Sequence, residues 1–129
     1  MAVAALNFPQ LKKCCGVEFL EGLFELATSN ASKLMKQTEF SDVVPIEIVK
    51  GDMLEVDWSD ADIVYASSIC FPDELVEGIA KCCSKLKKGT RIIALKEFPK
   101  DGYPYLKLEY NLKLKMTWGR CQVMIYSIV

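Results

Sequence analysis

The chain has 129 residues, 51% of them hydrophobic and 26% charged, with a net charge of −1. It is long enough for one core-forming domain, spanning residues 1–129, and too apolar for disorder. The charge balance lacks the basic excess of a dedicated nucleic-acid binder, so no direct sequence-specific nucleic-acid contact is expected. No apolar run reaches the roughly 18–20 residues of a membrane helix.

In chain order, helix and strand patterns alternate. Cys-Cys-Gly-Val-Glu-Phe at 14–19 predicts a short buried strand. The spacing of Leu23, Phe24, Ala27, Ala31, Leu34 and Met35 predicts a helix over 21–37. A loop over 38–45 ends at Pro45, a strand follows at 46–50, and Gly51-Asp52 turns the chain. Residues 62–67 hold the apolar run Ile63-Val64-Tyr65-Ala66, the signature of a central parallel strand. Pro72-Asp73 opens a helix whose first-turn acids suit the positive end of the dipole; it is expected to run to about Leu86, with Lys85, Lys87, Lys88 and Gly89 as its stop. Residues 90–98 predict another buried strand. Then Leu106, Leu108, Tyr110, Leu112 and Leu114 alternate with Lys107, Glu109, Asn111, Lys113 and Lys115, which predicts a half-buried strand with its apolar row on one face. Thr117-Trp118-Gly119-Arg120 reverses the chain, with Trp118 packed over the hairpin, and 121–129 returns as an apolar strand. Such a series demands an α/β fold, a mostly parallel sheet closed by an antiparallel hairpin.

There are six cysteines and no histidine. Without Cys-x-x-Cys spacing no metal site is expected. The vicinal pairs Cys14-Cys15 and Cys82-Cys83 lie in apolar segments, so the thiols are read as reduced core residues of an intracellular protein, nuclear or cytoplasmic. No basic leader or cleavage site follows Met1.

In a parallel α/β sheet, ligands sit beyond the carboxyl ends of the strands, which directs attention to Glu18 and Phe19, Gly51 to Met53, Ser67 to Phe71, and Lys96 to Phe98. Glu18 is either a solvated strand-end charge or a hook for the hydroxyls of a nucleotide ribose. Asp52 is either an ordinary turn former or an acceptor for an adenine amino group, with Met53 against the ring. Ser67 and Ser68 face a reacting group or simply form the turn; the absence of a histidine to activate them argues against a serine hydrolase. Lys96-Glu97 reads as a solvated pair, and the lysine row of 107–115 as an exposed face or edge guard. The absence of Gly-x-Gly-x-x-Gly argues against a dinucleotide-binding dehydrogenase.

The stretches GVEFLEGLFELA, GDMLEVDWSDADIVYASSICFPDEL, LKKGTRIIALKEF and MTWGRCQVMIYSI resemble the class I S-adenosylmethionine-dependent methyltransferases. Among these they are most similar to the Dot-type histone lysine methyltransferases, over nearly the whole chain and in the same order. The resemblance implies a Rossmann-like sheet with S-adenosylmethionine as cofactor. It places Glu18 on the ribose, Phe19 beside the adenine, Asp52 at the adenine amino group and Met53 where the family usually has phenylalanine. Ser67 and Ser68 stand where the family carries Asn-Asn near the methyl donor and the substrate channel, and Phe71 matches an aromatic of the lysine channel. No catalytic dyad is implied, because the family works by alignment and water exclusion. The implied partner is a protein substrate, a histone.

The family also places a strand and an Asp-x-Gly-x-Gly-type loop ahead of the region that residues 2–13 resemble, where 2–7 match the last turns of the following helix. A chain lacking that first strand is expected to have two open sheet edges, weak or absent cofactor binding and a tendency to homodimerise through the edges. The alternatives are a non-catalytic, partner-binding module and a methyltransferase with a non-histone substrate.

Overall fold

The computed structural model describes residues 1–36 and 43–129. Most of the loop expected at 38–45, and the last residue of the helix expected at 21–37, lie outside the described residues. The chain divides into two compact units, residues 1–56 and 57–129.

The first unit contains α1 (Ala2–Asn7), β1 (Cys14–Glu18), α2 (Glu21–Lys36) and β2 (Ile46–Lys50). Strands β1 and β2 pair in parallel, from Cys14 opposite Ile46 to Glu18 opposite Lys50. Parallel neighbours need a crossover, which α2 supplies. Its half-buried and buried positions are Phe24, Ala27, Ala31, Ser32 and Leu34, while Leu23 and Met35, also expected on the inner face, are exposed. Ala5, Cys14, Ala31, Val44 and Ile46 form the core of this unit.

The second unit contains β3 (Ile63–Ala66), α3 (Asp73–Cys82), β4 (Arg91–Ala94), β5 (Leu106–Met116) and β6 (Gly119–Ile128) in one sheet of order β3-β4-β6-β5. β3 and β4 are parallel, and β4, β6 and β5 are antiparallel. The α/β sheet with its antiparallel hairpin is therefore present. Among the described residues, however, β3 pairs only with β4 and β1 only with β2. The 62–67 segment, expected in the sheet centre from its apolar run, forms an edge here, with Ile63 57% and Tyr65 59% exposed.

Cross-strand register sorts the faces of this sheet, since directly opposed residues share a side. Val64, Ile92 and Tyr126 line one side, as do Ala66, Ala94 and Met124. Ile92, Ala94, Met124 and Tyr126 are buried. The amphipathic α3, the long helix of this unit, buries Val76, Ile79 and Ala80 at the i, i+3, i+4 spacing of one helical stripe. The opposite face carries Leu95, Cys121 and Val123 as a smaller core.

The alternation of 106–115 does produce a strand, but not a single apolar face. The register slips between Leu108 and Tyr110. Leu106 and Leu108 lie opposite Ile128 and Tyr126, whereas Leu112 and Leu114 lie opposite Val123 and Cys121, on the other side of the sheet. A β-bulge inserts one unpaired residue and so inverts the phase of a period-2 pattern. Leu108, Tyr110, Leu112 and Leu114 remain 39–58% exposed on β5, an edge strand of the sheet. Trp118, expected to pack over the hairpin, is 63% exposed at its tip. The turn is tight because Gly119 adopts φ +136°, which disfavours any residue with a Cβ.

The strand expected at 90–98 stops at Ala94. The cysteines are all free, but only Cys14, Cys83 and Cys121 are buried, while Cys15 and Cys70 are exposed. Cys15 follows Cys14 in a strand and so points to the opposite face. Burial pushes the Cys83 thiol up from its ordinary 9.0 to about 12. A folded-state pKa raised in this way contributes stability that is complete below pH 9 and is lost as pH rises towards 12. Thiol labelling at pH 8 should therefore be biphasic, Cys15 and Cys70 reacting fast and Cys83 only as fast as the chain opens. Rapid modification of Cys83, detected by peptide mass mapping, would contradict the buried assignment.

Candidate functional site

The carboxyl ends of β1 and β2 lie side by side. The Gly51 N–H donates to the Glu18 carbonyl at 3.1 Å, so the turn carrying Asp52 begins next to the Glu18 strand end. Both acids are half-buried. One carboxylate oxygen of each is used locally: Glu18 Oε1 accepts from the Leu20 N–H at 2.8 Å, and Asp52 Oδ1 from the Leu54 N–H at 2.8 Å. The second is the self-capping turn typical of aspartate, and the Asp52 carbonyl extends it by accepting from Glu55 and Val56. These bonds hold each side chain while leaving its other oxygen to meet a ligand's donor. Phe19 is 66% exposed beside Glu18, and Met53 is half-buried beside Asp52. Lys50 pairs with Glu21 and sits 5.7 Å over the Phe24 ring, tying the end of β2 to the start of α2.

In the second unit Ser67 is exposed and Phe71 half-buried. Ser68 is fully buried. Its Oγ accepts from the Leu95 N–H at 3.1 Å and the Lys96 N–H at 3.0 Å. The hydroxyl thus takes over the backbone donors at the end of β4, which is why that strand ends early. In this structure Ser68 clamps the turn after β3 to the end of β4. Lys96 is likewise no freely solvated charge. Its Nζ donates to the Phe71 carbonyl at 2.7 Å and pairs with Asp73 at 2.7 Å. The ammonium hydrogen-bonded to Asp73 holds that carboxyl below the usual range. One lysine therefore fixes both the Phe71 backbone and the first turn of α3. No local signal in the sequence names these partners, since Lys96 stands beside Glu97 and reads as half of a charged pair.

An open cleft of about 390 Å³ also occurs in this unit, lined by Asp73, Val76, Glu97, Phe98, Pro99 and Lys100. None of the residues singled out from the resemblance lines it. Phe98, which lines it, is held by the buried Tyr126, whose hydroxyl accepts from the Phe98 N–H at 3.0 Å with the rings 4.9 Å apart.

The mixed α/β fold, with parallel strand pairs and a closing antiparallel hairpin, is that of solved Rossmann-like methyltransferases. The chain is similar to a candidate methylase from Haemophilus influenzae (TM-score 0.65, 16% identity, 93% of this chain and 74% of that one). It is also similar to the magnesium protoporphyrin IX methyltransferase of Synechocystis with bound SAM (TM-score 0.65, 11% identity, 91% and 60%). The M1A22 tRNA methyltransferase of B. subtilis resembles it over 98% of this chain and 54% of that one (TM-score 0.64, 18% identity). The chain thus spans between about half and three quarters of these proteins. No curated protein matches its sequence. The family described as histone methylation protein DOT1 matches residues 1–116. The chain belongs to the DOT1 family.

Proposed function

We propose that this chain carries S-adenosylmethionine-binding residues of a Dot-type protein lysine N-methyltransferase, with histones as the class of methyl acceptor. The observation that carries the proposal is the pairing of Glu18 and Asp52 at one end of β1 and β2, with the Gly51–Glu18 hydrogen bond joining the two turns. The site fits the nucleoside end of the cofactor chemically. Each acid keeps an acceptor oxygen outside its local turn, and a ribose diol and an exocyclic amine both offer donors. When bound, the cofactor supplies a methyl group on a positively charged sulfur.

Glu18 accepts from the ribose hydroxyls, Asp52 accepts from the adenine amino group, and Phe19 and Met53 give the ring apolar neighbours. In the second unit, exposed Ser67 stands at the methyl-donor position of the family pattern and Phe71 at that of the lysine channel. The Lys96 contact to the Phe71 carbonyl fixes the backbone from which that ring projects. The chain has no histidine, and these residues contribute by positioning and by excluding water.

Isothermal titration with S-adenosylmethionine tests the assignment. Glu18→Gln is expected to weaken binding about 5- to 150-fold, the scale of about 1–3 kcal/mol for hydrogen bonds to a charged group. Unchanged affinity would remove Glu18 from the ribose. Complete absence of heat and of a thermal shift at millimolar cofactor would instead favour a non-catalytic module. Methyl transfer to core histones, compared with a panel of other basic proteins, tests the acceptor class.

A further inference from the structure

Among the described residues four strands border the two sheets: β1 and β2 in one, β3 and β5 in the other. An edge strand offers a row of free backbone groups to another chain, and charged residues on the edge oppose such pairing. β5 carries Lys107, Lys113 and Lys115, β2 carries Glu47 and Lys50, and β1 ends on Glu18. β1 also has Gly16 at its centre, a residue that weakens a strand. β3 is Ile-Val-Tyr-Ala, with no charge, glycine or proline. Its Ile63 and Tyr65 are more than half exposed.

Hydrogen bonding shows which backbone groups face outward. The Asp62 carbonyl accepts from the Arg91 N–H at 3.0 Å, and the Ala66 carbonyl from the Leu95 N–H at 3.3 Å. Backbone groups of successive strand residues point to alternate neighbours. Val64 therefore also faces β4, while the N–H and C=O groups of Ile63 and Tyr65 face the open edge. The Ile63 and Tyr65 side chains share one side of the sheet, because residues two apart in a strand do so. Ile93 lies on that same side, directly opposite Tyr65.

We propose that the β3 edge pairs antiparallel with the β3 edge of a second copy of this chain, about a two-fold axis at Val64. Ile63 then stands opposite Tyr65 of the second copy, and Tyr65 opposite its Ile63. Each of these pairs exchanges two backbone hydrogen bonds, and Val64 meets its own counterpart in the narrow pair between them. The register is self-complementary, as a two-fold interface requires. It sets a β-branched side chain beside an aromatic ring twice over, on one face of a joined sheet. No like charges meet, since Asp62 falls opposite Ala66. The self-match in both backbone and side chains singles out a second copy as the occupant. Covering four half-exposed side chains removes roughly 400–500 Å² from water, less than the about 1,200 Å² at which stable complexes begin. The dimer is therefore weak and forms with rising concentration. Antiparallel pairing points the two Ser67 ends apart, so this surface is separate from the residues assigned to the cofactor and does not rest on that assignment.

Sedimentation equilibrium of the full chain from about 5 to about 500 μM, a span over which a weak interface forms, supplies the test. The mean mass should rise from 14.5 kDa towards twice that value. Tyr65→Lys, which places a charge on the edge, should hold the chain monomeric throughout. Tyr110→Lys, at a similarly exposed tyrosine of the other edge strand, should dimerise like the wild type. Circular dichroism checks that both variants fold. Cross-linking reads the register without either of them. In a background of Cys15→Ser and Cys70→Ser, which removes the exposed thiols, Val64→Cys should form an intermolecular disulfide under mild oxidation, because the two Cα atoms lie about 4.5 Å apart. Ile63→Cys should not, because its counterpart lies more than about 7 Å away. A chain that stays monomeric at every concentration would overturn the proposal and leave the edge to a strand of another protein. So would dimerisation that Tyr65→Lys leaves intact, or cross-linking through Ile63→Cys in place of Val64→Cys.

Discussion

Ser68→Ala should lower the unfolding free energy by about 2–4 kcal/mol, although it deletes one oxygen atom. That oxygen is fully buried and accepts from two backbone donors, Leu95 N–H and Lys96 N–H. Alanine leaves those donors in a site that water does not reach, and an unsatisfied buried donor costs about 1–3 kcal/mol. The Leu95 N–H retains a longer bond of 3.3 Å to the Ala66 carbonyl, so the two penalties do not add in full. The neighbouring Ser67→Ala, at an exposed position, should change stability by less than about 0.5 kcal/mol. Urea unfolding of both variants decides the matter, with the midpoint moving for Ser68→Ala at unchanged slope. If the two variants behave alike, Ser68 is not the clamp between β3 and β4, and a role in a substrate channel returns.

A second large effect is expected at Ile92. It is fully buried in β4, the strand that pairs with β3 on one side and β6 on the other. Ile92→Ala should destabilise the second unit by about 2–5 kcal/mol, and Ile92→Val by about 0.5–1.5 kcal/mol, through lost burial and the cavity left behind. A typical domain has only about 5–15 kcal/mol to lose. Hydrogen exchange should then show amides of β3, β4 and β6 losing protection together. Alanine at exposed Ile63 on the edge strand serves as the comparison, with a much smaller cost. Similar losses at both positions would mean that β4 is not the centre of this core.

Much of the architecture could be read from residue order. The strand at 46–50 is found with the predicted bounds, because Pro45 and Gly51 punctuate it on both sides. The acidic start of α3 was also legible, whereas the helix itself ends at Cys82, short of the expected Leu86, and a 3-10 turn over Cys83–Lys85 separates it from Gly89. The alternation of 106–115 revealed a strand but not the bulge at Glu109, because a bulge leaves the letter pattern unchanged while shifting the partner's register. Lys96 looked like a surface charge because nothing local names its partners, which lie 23 and 25 residues away at Asp73 and Phe71.

The same division holds for the candidate site and for β3. Glu18 and Asp52 could be placed at strand ends from sequence, since period and punctuation are properties of neighbours along the chain. Their adjacency needed the parallel register of β1 and β2 and the hydrogen bond from Gly51 to Glu18. Sequence by itself determined the order of helices and strands, the apolar segments that must be buried, and the acids and serines that stand where ligands bind in such sheets. Tertiary structure alone decided that Ser68 turns inward, that Lys96 is a brace, and that the apolar β3 forms an edge. The physical reason is range: propensity and periodicity act over a few residues, whereas burial, cross-strand register and buried hydrogen bonds depend on which distant segments meet.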